Sequence, residues 1–144
     1  MISDRLASLV VGYFNPSGRC LDPCGDFAHA IVTCVGACTQ PQEFLEMERK
    51  RDFDWIITAP PIPFFRAYLW QSMELANDIV FVAPMNYFVK SQHLTDIRRF
   101  GFGLRNCVFL DESQVYQLAA VHLKRGYVGP LDIDAYTLMG IIDE

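Results

Sequence analysis

The stretch DWIITAPPI, residues 54–62, decides the fold of this chain. Residues 54–58 are short and largely apolar, which is typical of a parallel strand covered by helices on both faces. Pro60 and Pro61 must end that strand, because proline has no N–H to donate to a neighbouring strand. Pro63 suits the first turn of a helix, where the missing N–H costs nothing. The stretch therefore predicts a strand, a tight turn and a helix, in that order.

Apolar patterns on either side of this stretch continue the same alternation. Residues 78–83 form a second apolar run that Pro84 stops, so two strands flank the predicted helix in a right-handed βαβ unit. Upstream, apolar residues at helical spacing predict a helix over 3–14. Residues 19–22 then predict a short strand that ends in an acid. A strand, an acidic turn and a helix are the usual opening of a doubly wound sheet.

The remaining segments extend this sheet. We expect one helix over 27–35 and another that Ser91 caps and that runs to Phe100. Two strands, over 105–110 and 115–123, should flank a hairpin turn at 111–114. An edge strand and a tail should follow after residue 126. The hairpin makes the end of the sheet antiparallel. We therefore predict an α/β protein with a doubly wound, Rossmann-like sheet, mostly parallel with an antiparallel final strand, in a single domain spanning 1–144.

Length and composition favour one hydrophobic core. The chain has 144 residues, of which 51% are hydrophobic. Its apolar runs stop well short of the roughly 18 residues that a membrane span requires. The first residues lack the apolar region and cleavage site of a secretory signal. We therefore expect a cytoplasmic protein without membrane contact.

The five cysteines raise the question of a metal site. They are Cys20, Cys24, Cys34, Cys38 and Cys107. An odd number without an export signal predicts free thiols. The spacing of the first four around His29 also suggests zinc ligands. Because the stretch between them is apolar, buried thiols packing as small hydrophobic groups are the better explanation. We predict unpaired cysteines and no metal.

The charge balance opposes general binding to nucleic acid. The net charge is −5, whereas duplex binding draws most of its affinity from phosphate neutralisation. Basic residues do cluster locally, at Arg49-Lys50-Arg51, Arg98-Arg99 and Lys124-Arg125. Each cluster is explained equally well as a solvated helix end or turn.

Ligands of open α/β sheets bind at the carboxyl ends of the parallel strands. Two such ends are marked here, by residues 21–26 (LDPCGD) and by residues 58–62 (TAPPI). The three histidines, at positions 29, 93 and 122, have no evident Ser, Cys or Asp partner, so nucleophilic hydrolysis has little support.

The two strand ends together resemble the main motifs of compact, phage-type class I S-adenosylmethionine-dependent DNA adenine-N6 methyltransferases. The resemblance covers most of the chain and is clearest from Asp54 to Gly129. It implies a single methyltransferase-like domain with S-adenosylmethionine as cofactor. The implied cofactor residues are Asp22, Pro23, Gly25, Asp26 and the pair Glu43-Phe44. The implied catalytic turn, which holds the target amine, is Ala59, Pro60, Pro61 and Ile62.

This chain departs from the motifs of that family in ways that bear on the chemistry. Adenine N6 is a poor nucleophile, so the turn needs an Asn or Asp oxygen to accept its hydrogens and an aromatic ring to stack on the flipped base. Ala59 has no acceptor and Ile62 has no ring, although Phe64 or Phe65 could provide the stacking.

The cofactor turn departs as well. It lacks a second glycine after Gly25, Phe27 adds bulk there, and residues 33–40 offer no acid for the cofactor ribose. We therefore expect weak or undetectable binding of S-adenosylmethionine.

Two functions follow from this sequence. The first is a methyltransferase acting on adenine in DNA, impaired by Ala59. The alternative is a catalytically inactive pseudo-methyltransferase that binds nucleic acid or protein. The chain has no room for an added recognition domain, so selectivity would come from loops, a homodimer or a partner protein.

Overall fold

A computed structural model describes residues 3–27, 41–110 and 118–134. Six strands form one sheet: β1 (Cys20–Leu21), β2 (Phe53–Thr58), β3 (Ala76–Pro84), β4 (Phe102–Leu110), β5 (Leu118–Arg125) and β6 (Asp132–Ile133). Their order across the sheet is β1-β2-β3-β5-β4-β6. Strands β1, β2 and β3 pair in parallel, as do β4 and β6, whereas β5 is antiparallel to both β3 and β4. The predicted α/β class and the mixed sheet with its antiparallel strand are confirmed.

Of the five helices in the described residues, the three longest lie where the sequence predicts them, and the two shortest were not predicted. The five helices are α1 (Asp4–Phe14), α2 (Pro41–Leu45), α3 (Phe65–Leu75), α4 (Met85–Phe88) and α5 (Ser91–Arg99), with a 3-10 turn at Ile62–Phe64. The hydroxyl of Ser3 accepts a hydrogen bond from the backbone N–H of Leu6 at the start of α1, and Asn15 ends that helix in the left-handed conformation (φ 49°). At α5 the prediction of Ser91 as the cap is wrong: Lys90 occupies the cap position, without a side-chain hydrogen bond.

Helices cover both faces of the sheet, and each face has its own apolar cluster. On one face, Leu6 and Val10 of α1 pack with Val80 of β3. On the other face, Leu69 and Met73 of α3 pack against the same sheet. Because β2 and β3 bury side chains in both clusters, their sequences are almost continuously apolar.

The antiparallel strand β5 lies inside the sheet, between β3 and β4. It is not the last strand, because the two-residue β6 follows and pairs with β4 at the edge. The predicted hairpin at 111–114 and nearly all of the predicted helix over 27–35 lie outside the described residues. Within the described ranges, no helix is long and apolar enough to cross a membrane.

Candidate functional site

The two candidate strand ends are neighbours in the structure. Strands β1 and β2 pair in parallel with Leu21 opposite Ile56, so both chains leave the sheet at the same carboxyl edge. Asp22 follows β1 directly, and Thr58 is the last residue of β2. Parallel pairing therefore brings together two turns that are far apart in sequence.

A buried carboxylate joins these two turns. Asp22 is 0% exposed, and its Oδ1 accepts hydrogen bonds from the hydroxyl of Thr58 (2.7 Å) and the backbone N–H of Cys24 (3.1 Å). Its Oδ2 accepts from the backbone N–H of Phe27. The N–H of Cys24 also donates to the Thr58 oxygen at 3.3 Å. Asp22 thus organises the loop after β1 and connects it to the end of β2.

The electrostatics of Asp22 follow from its burial. Desolvation raises the pKa of this carboxyl, and the hydrogen bonds that it accepts from the N–H of Phe27 and the hydroxyl of Thr58 offset only part of that rise. Gly25 has a positive φ of 85°, a conformation that favours glycine. The loop over 22–27 is therefore held from within by one carboxylate and shaped by one glycine.

The other residues proposed for the cofactor take different positions. Pro23 is buried and Asp26 is half-buried in the turn, while Glu43 is exposed on α2. Phe44 is 0% exposed and packs on Tyr68, with ring centroids 4.8 Å apart. The side chain of Tyr68 in turn forms a hydrogen bond with Cys24, so Phe44 is linked to the Asp22 turn through one intermediate ring.

The ring of Phe27 points into the core rather than into the turn. It is 0% exposed and belongs to the apolar cluster beneath α1, together with Ile57. The expectation that this side chain crowds the cofactor turn is therefore wrong. Only its backbone N–H takes part in the turn, as a donor to Asp22.

The turn after β2 is rigid and apolar. Ala59 is half-buried and contributes only a methyl group, which packs against the cluster on the α1 face. Pro60 is buried, and Pro61 is extended (φ −60°, ψ 128°). Ile62 begins the 3-10 turn and packs partly against the opposite apolar cluster. None of these four side chains has a polar atom.

The two aromatic residues after the turn have opposite environments. Phe65 is 2% exposed and packs edge-on against Phe81 and Phe88. Phe64 is 44% exposed. Only Phe64 of this pair is therefore placed to stack on a ligand.

Two of the described cysteines, Cys24 and Cys107, are free thiols as predicted, and burial raises the pKa of Cys107 to about 11. Cys20 is buried in β1. Cys34 and Cys38 lie outside the described residues. No group of three metal-ligating side chains occurs within the described ranges, and the absence of a bound metal stays a prediction.

A polar cluster that sequence reasoning missed lies on the inner strands of the sheet, toward the amino-terminal ends of β2 and β3. His122 of β5 has its Nε2 2.8 Å from Oδ1 of Asp78, and Nζ of Lys124 donates to the same oxygen at 3.2 Å. The ring of Trp55 stacks on His122, with centroids 4.8 Å apart. The expectation that no histidine has an Asp partner is therefore wrong for His122. Only the antiparallel register of β3 and β5 could have revealed this pair.

The Asp78 carboxylate is expected to stabilise the fold in a pH-dependent way. Burial raises its pKa, but hydrogen bonds from His122 and Lys124 outweigh burial and leave the pKa below its ordinary value. A lowered folded-state pKa gives stability that is present above the unfolded pKa of about 3.9 and is lost as the pH falls through the folded value. Asp78→Asn should therefore lower the free energy of unfolding by about 1–3 kcal/mol at pH 7.

Urea denaturation at pH 7 and at pH 3 measures this effect. The gap between Asp78→Asn and the unmodified protein should narrow at the lower pH. The control is Asp52→Asn, because the Asp52 carboxylate forms an exposed pair with Lys50 at 3.8 Å and the substitution leaves the backbone hydrogen bonds of Asp52 in place. An equal loss in both variants would contradict the prediction.

Solved methyltransferase structures are similar to this chain. A predicted O-methyltransferase from Agrobacterium tumefaciens matches with a TM-score of 0.65 at 12% identity, over 92% of this chain and 86% of that protein. Magnesium protoporphyrin IX methyltransferase from Synechocystis PCC 6803, solved with bound S-adenosylmethionine, matches with a TM-score of 0.56 at 16% identity, over 85% of this chain and 77% of that one.

A protein assigned as the modification subunit of a type I restriction enzyme from Vibrio vulnificus YJ016 is also similar. Its TM-score is 0.57 at 14% identity, over 88% of this chain and 44% of that protein. No protein-family model matches the sequence, and no curated protein sequence matches it. The chain has the fold of class I S-adenosylmethionine-dependent methyltransferases.

Proposed function

We propose that this chain is an S-adenosylmethionine-dependent methyltransferase whose turn over 59–62 receives an adenine amine, and that Ala59 makes the transfer slow. The proposal rests on one observation: the hydrogen bond between Thr58 and Asp22 connects the turn after β1 to the end of β2. A cofactor turn and an acceptor turn must stay in register for in-line transfer, because small misplacements of the reacting groups are costly in rate.

The residues of the loop over 22–27 fit the methionine end of the cofactor. Gly25 has no side chain to obstruct close approach of a ligand to the backbone, and its positive φ shapes the turn. Both carboxylate oxygens of Asp22 accept hydrogen bonds, from the loop and from Thr58, so the role of Asp22 is to position the loop against the end of β2. S-adenosylmethionine would supply the methyl group as an electrophilic sulfonium.

The turn over 59–62 and the residues after it are better suited to binding a planar acceptor than to activating its amine. Phe64 offers an exposed ring for stacking on a planar acceptor. The side chains of Ala59 and Ile62 contain no acceptor for the amine hydrogens. Losing one oriented transition-state hydrogen bond costs roughly 2.7–4 kcal/mol, or about 100–1,000-fold in rate. A slow enzyme is the expected result.

The choice of adenine depends on the motifs. The similar structures carry names as different as an O-methyltransferase and a restriction-enzyme modification subunit, so the fold they share leaves the acceptor open. The resemblance of residues 22–26 and 58–62 to the adenine-N6 family points to an exocyclic amine. Single-stranded or flipped adenine in DNA is the acceptor that we propose.

A second function is supported by the same alanine. If the turn has lost its chemistry entirely, the chain is a pseudo-methyltransferase that uses this scaffold to bind nucleic acid or a protein partner. Under either function, a homodimer or a partner subunit would supply recognition of the target sequence. Methyl transfer and DNA binding, measured on the same preparation, distinguish the two.

Cofactor affinity is expected to be low. The loop has one glycine where the family has two, so fewer backbone groups can approach the methionine end closely. Calorimetric titration with S-adenosylmethionine should give a Kd weaker than about 100 μM. A Kd near 1 μM would contradict the prediction and would mean that the cofactor contacts lie elsewhere along this edge. Asp26→Ala tests one of the implied cofactor residues, and a further loss of affinity in this variant would show that the Asp26 carboxylate contacts the cofactor.

A further inference from the structure

A cavity of about 450 Å³ lies between α3 and the segment that contains α2. Its volume is within the range of roughly 300–1,000 Å³ that small-molecule sites usually have. None of its lining residues belongs to the hydrogen-bonded group of Asp22. They are Leu45, Arg49, Arg66, Ala67, Trp70 and Gln71.

Arg49 is held at the mouth of this cavity by a buried amide. Its Nε donates to Oε1 of Gln71 at 3.2 Å, and Gln71 is only 1% exposed. The amide nitrogen of Gln71 donates in turn to the backbone carbonyls of Phe44 (3.0 Å) and Met47 (2.9 Å). One hydrogen bond therefore positions the Arg49 guanidinium, and neither of its Nη groups forms a hydrogen bond with the described part of the chain.

Arg66 is held on the other side by a buried carboxylate. Asp96 is 1% exposed and accepts from Nε (2.7 Å) and Nη2 (3.3 Å) of Arg66. The same carboxylate accepts from the indole N–H of Trp70 at 2.8 Å. The guanidinium of Arg66 lies 5.6 Å from the Trp70 ring centroid, so cation, ring and carboxylate form one fixed group.

Of the two arginines that line the cavity, only Arg66 is neutralised by an acid within the described residues. Asp96 balances Arg66, and Lys50, next to Arg49 in sequence, pairs with Glu48 and Asp52. Within the described part of the chain, no carboxylate forms an ion pair with Arg49. The basic run at 49–51 therefore has one member that is fixed in position without a neutralising acid.

We propose that this cavity binds an oxyanion, a phosphate or a carboxylate, carried on a flat apolar body. The Nη groups of Arg49 donate to the oxyanion, because a planar guanidinium offers paired N–H donors that match such groups. The apolar body packs against Trp70, Leu45 and Ala67. This site is separate from the proposed methyl transfer and requires no cofactor.

Titration with three naphthalene probes tests the proposal without S-adenosylmethionine. They are 2-naphthyl phosphate, 2-naphthoate and uncharged 2-naphthol, observed through the two indole N–H resonances. An anionic probe should move the Trp70 resonance and leave that of Trp55 unchanged, and naphthol should bind at least about tenfold more weakly. Tighter binding of the phosphate probe assigns the ligand class as phosphate, and tighter binding of naphthoate assigns it as carboxylate.

Two matched variants locate the binding. Arg49→Gln should weaken binding of the anionic probes about tenfold or more, whereas Arg105→Gln, which removes an exposed cation beside the Trp55 cavity, should not. Melting temperatures establish that both variants are folded. Equal losses in the two variants, no loss in Arg49→Gln, or no anion binding with a Kd below about 1 mM would overturn the proposal. A failed methyl-transfer assay would leave this result unaffected, because no cofactor is added.

Discussion

Ala59→Asn is expected to raise the rate of methyl transfer to adenine-containing DNA by about 100–1,000-fold. Asparagine restores an acceptor for the amine hydrogens on a turn that Pro60 and Pro61 already shape. Position 59 is half-buried, so a somewhat larger polar side chain there would keep part of its surface exposed. The measurement is a radiolabelled methyl-transfer assay at saturating DNA, with S-adenosylmethionine well above its Kd.

Ala59→Leu is the matched control, because leucine has nearly the same size as asparagine and no acceptor. It should leave the rate at the level of the unmodified protein. If neither variant gains activity while both stay folded, the chain is the pseudo-methyltransferase of the alternative proposal. A brisk reaction by the unmodified protein would contradict the claim that Ala59 limits it.

A brisk reaction would require another acceptor for the amine hydrogens, and Thr58 and Asn86 are two candidates that follow or end neighbouring strands. The Thr58 hydroxyl is buried, donates to Asp22 and accepts from the N–H of Cys24, so it is fully engaged. Asn86 is exposed in α4, directly beyond the carboxyl end of β3. In that case, Asn86→Ala should abolish the activity and Thr58→Ser should preserve it.

Asp22→Ala is expected to cause the largest loss of stability of any change in the site. The substitution leaves the N–H of Phe27 and the hydroxyl of Thr58 without their buried acceptor, and it leaves the N–H of Cys24 with only the 3.3 Å hydrogen bond to the Thr58 oxygen. Each unsatisfied buried group costs about 1–3 kcal/mol, so the sum is a large share of the roughly 5–15 kcal/mol that a domain of this kind has. The variant should unfold at a much lower urea concentration or fail to fold.

Two further variants make this result specific. Asp22→Asn keeps one acceptor oxygen but directs an amide N–H toward another N–H, so its loss of stability should be intermediate. Asp26→Ala removes a half-buried acid of the same turn and should cost less than about 0.5 kcal/mol. Chemical denaturation of the three variants gives the ranking. If Asp22→Ala were as stable as Asp26→Ala, the organising role of Asp22 would be refuted.

Local patterns were sufficient to predict the architecture. The apolar run before Pro60 is a strand because its residues are buried on both sides, and α1 follows the 3.6-residue spacing of its apolar side chains. The same logic placed both candidate turns at the carboxyl ends of parallel strands, where the ligands of such sheets bind. The Ser91 cap failed because a serine can also occupy the first helical position.

Pairings across the fold could not be predicted from these patterns. Asp22 and Thr58 are 36 positions apart, and Asp78 and His122 are 44 apart. Such contacts depend on strand register, and a one-residue slip would direct each side chain to the opposite face. Phe27 shows the same limit, since neither its ring size nor its place in the motif reveals that the ring packs beneath α1.

The position of β5 has a consequence for how the chain assembles. This strand lies between β3 and β4, yet it follows both of them in sequence. Until it inserts, the facing edges of β3 and β4 carry unpaired N–H and C=O groups, which are templates for pairing with another chain. The centre of the sheet thus closes only when β5 pairs with β3, and contacts between residues distant in sequence form slowly. During synthesis, the interval before β5 emerges is when this molecule is most exposed to association with its neighbours.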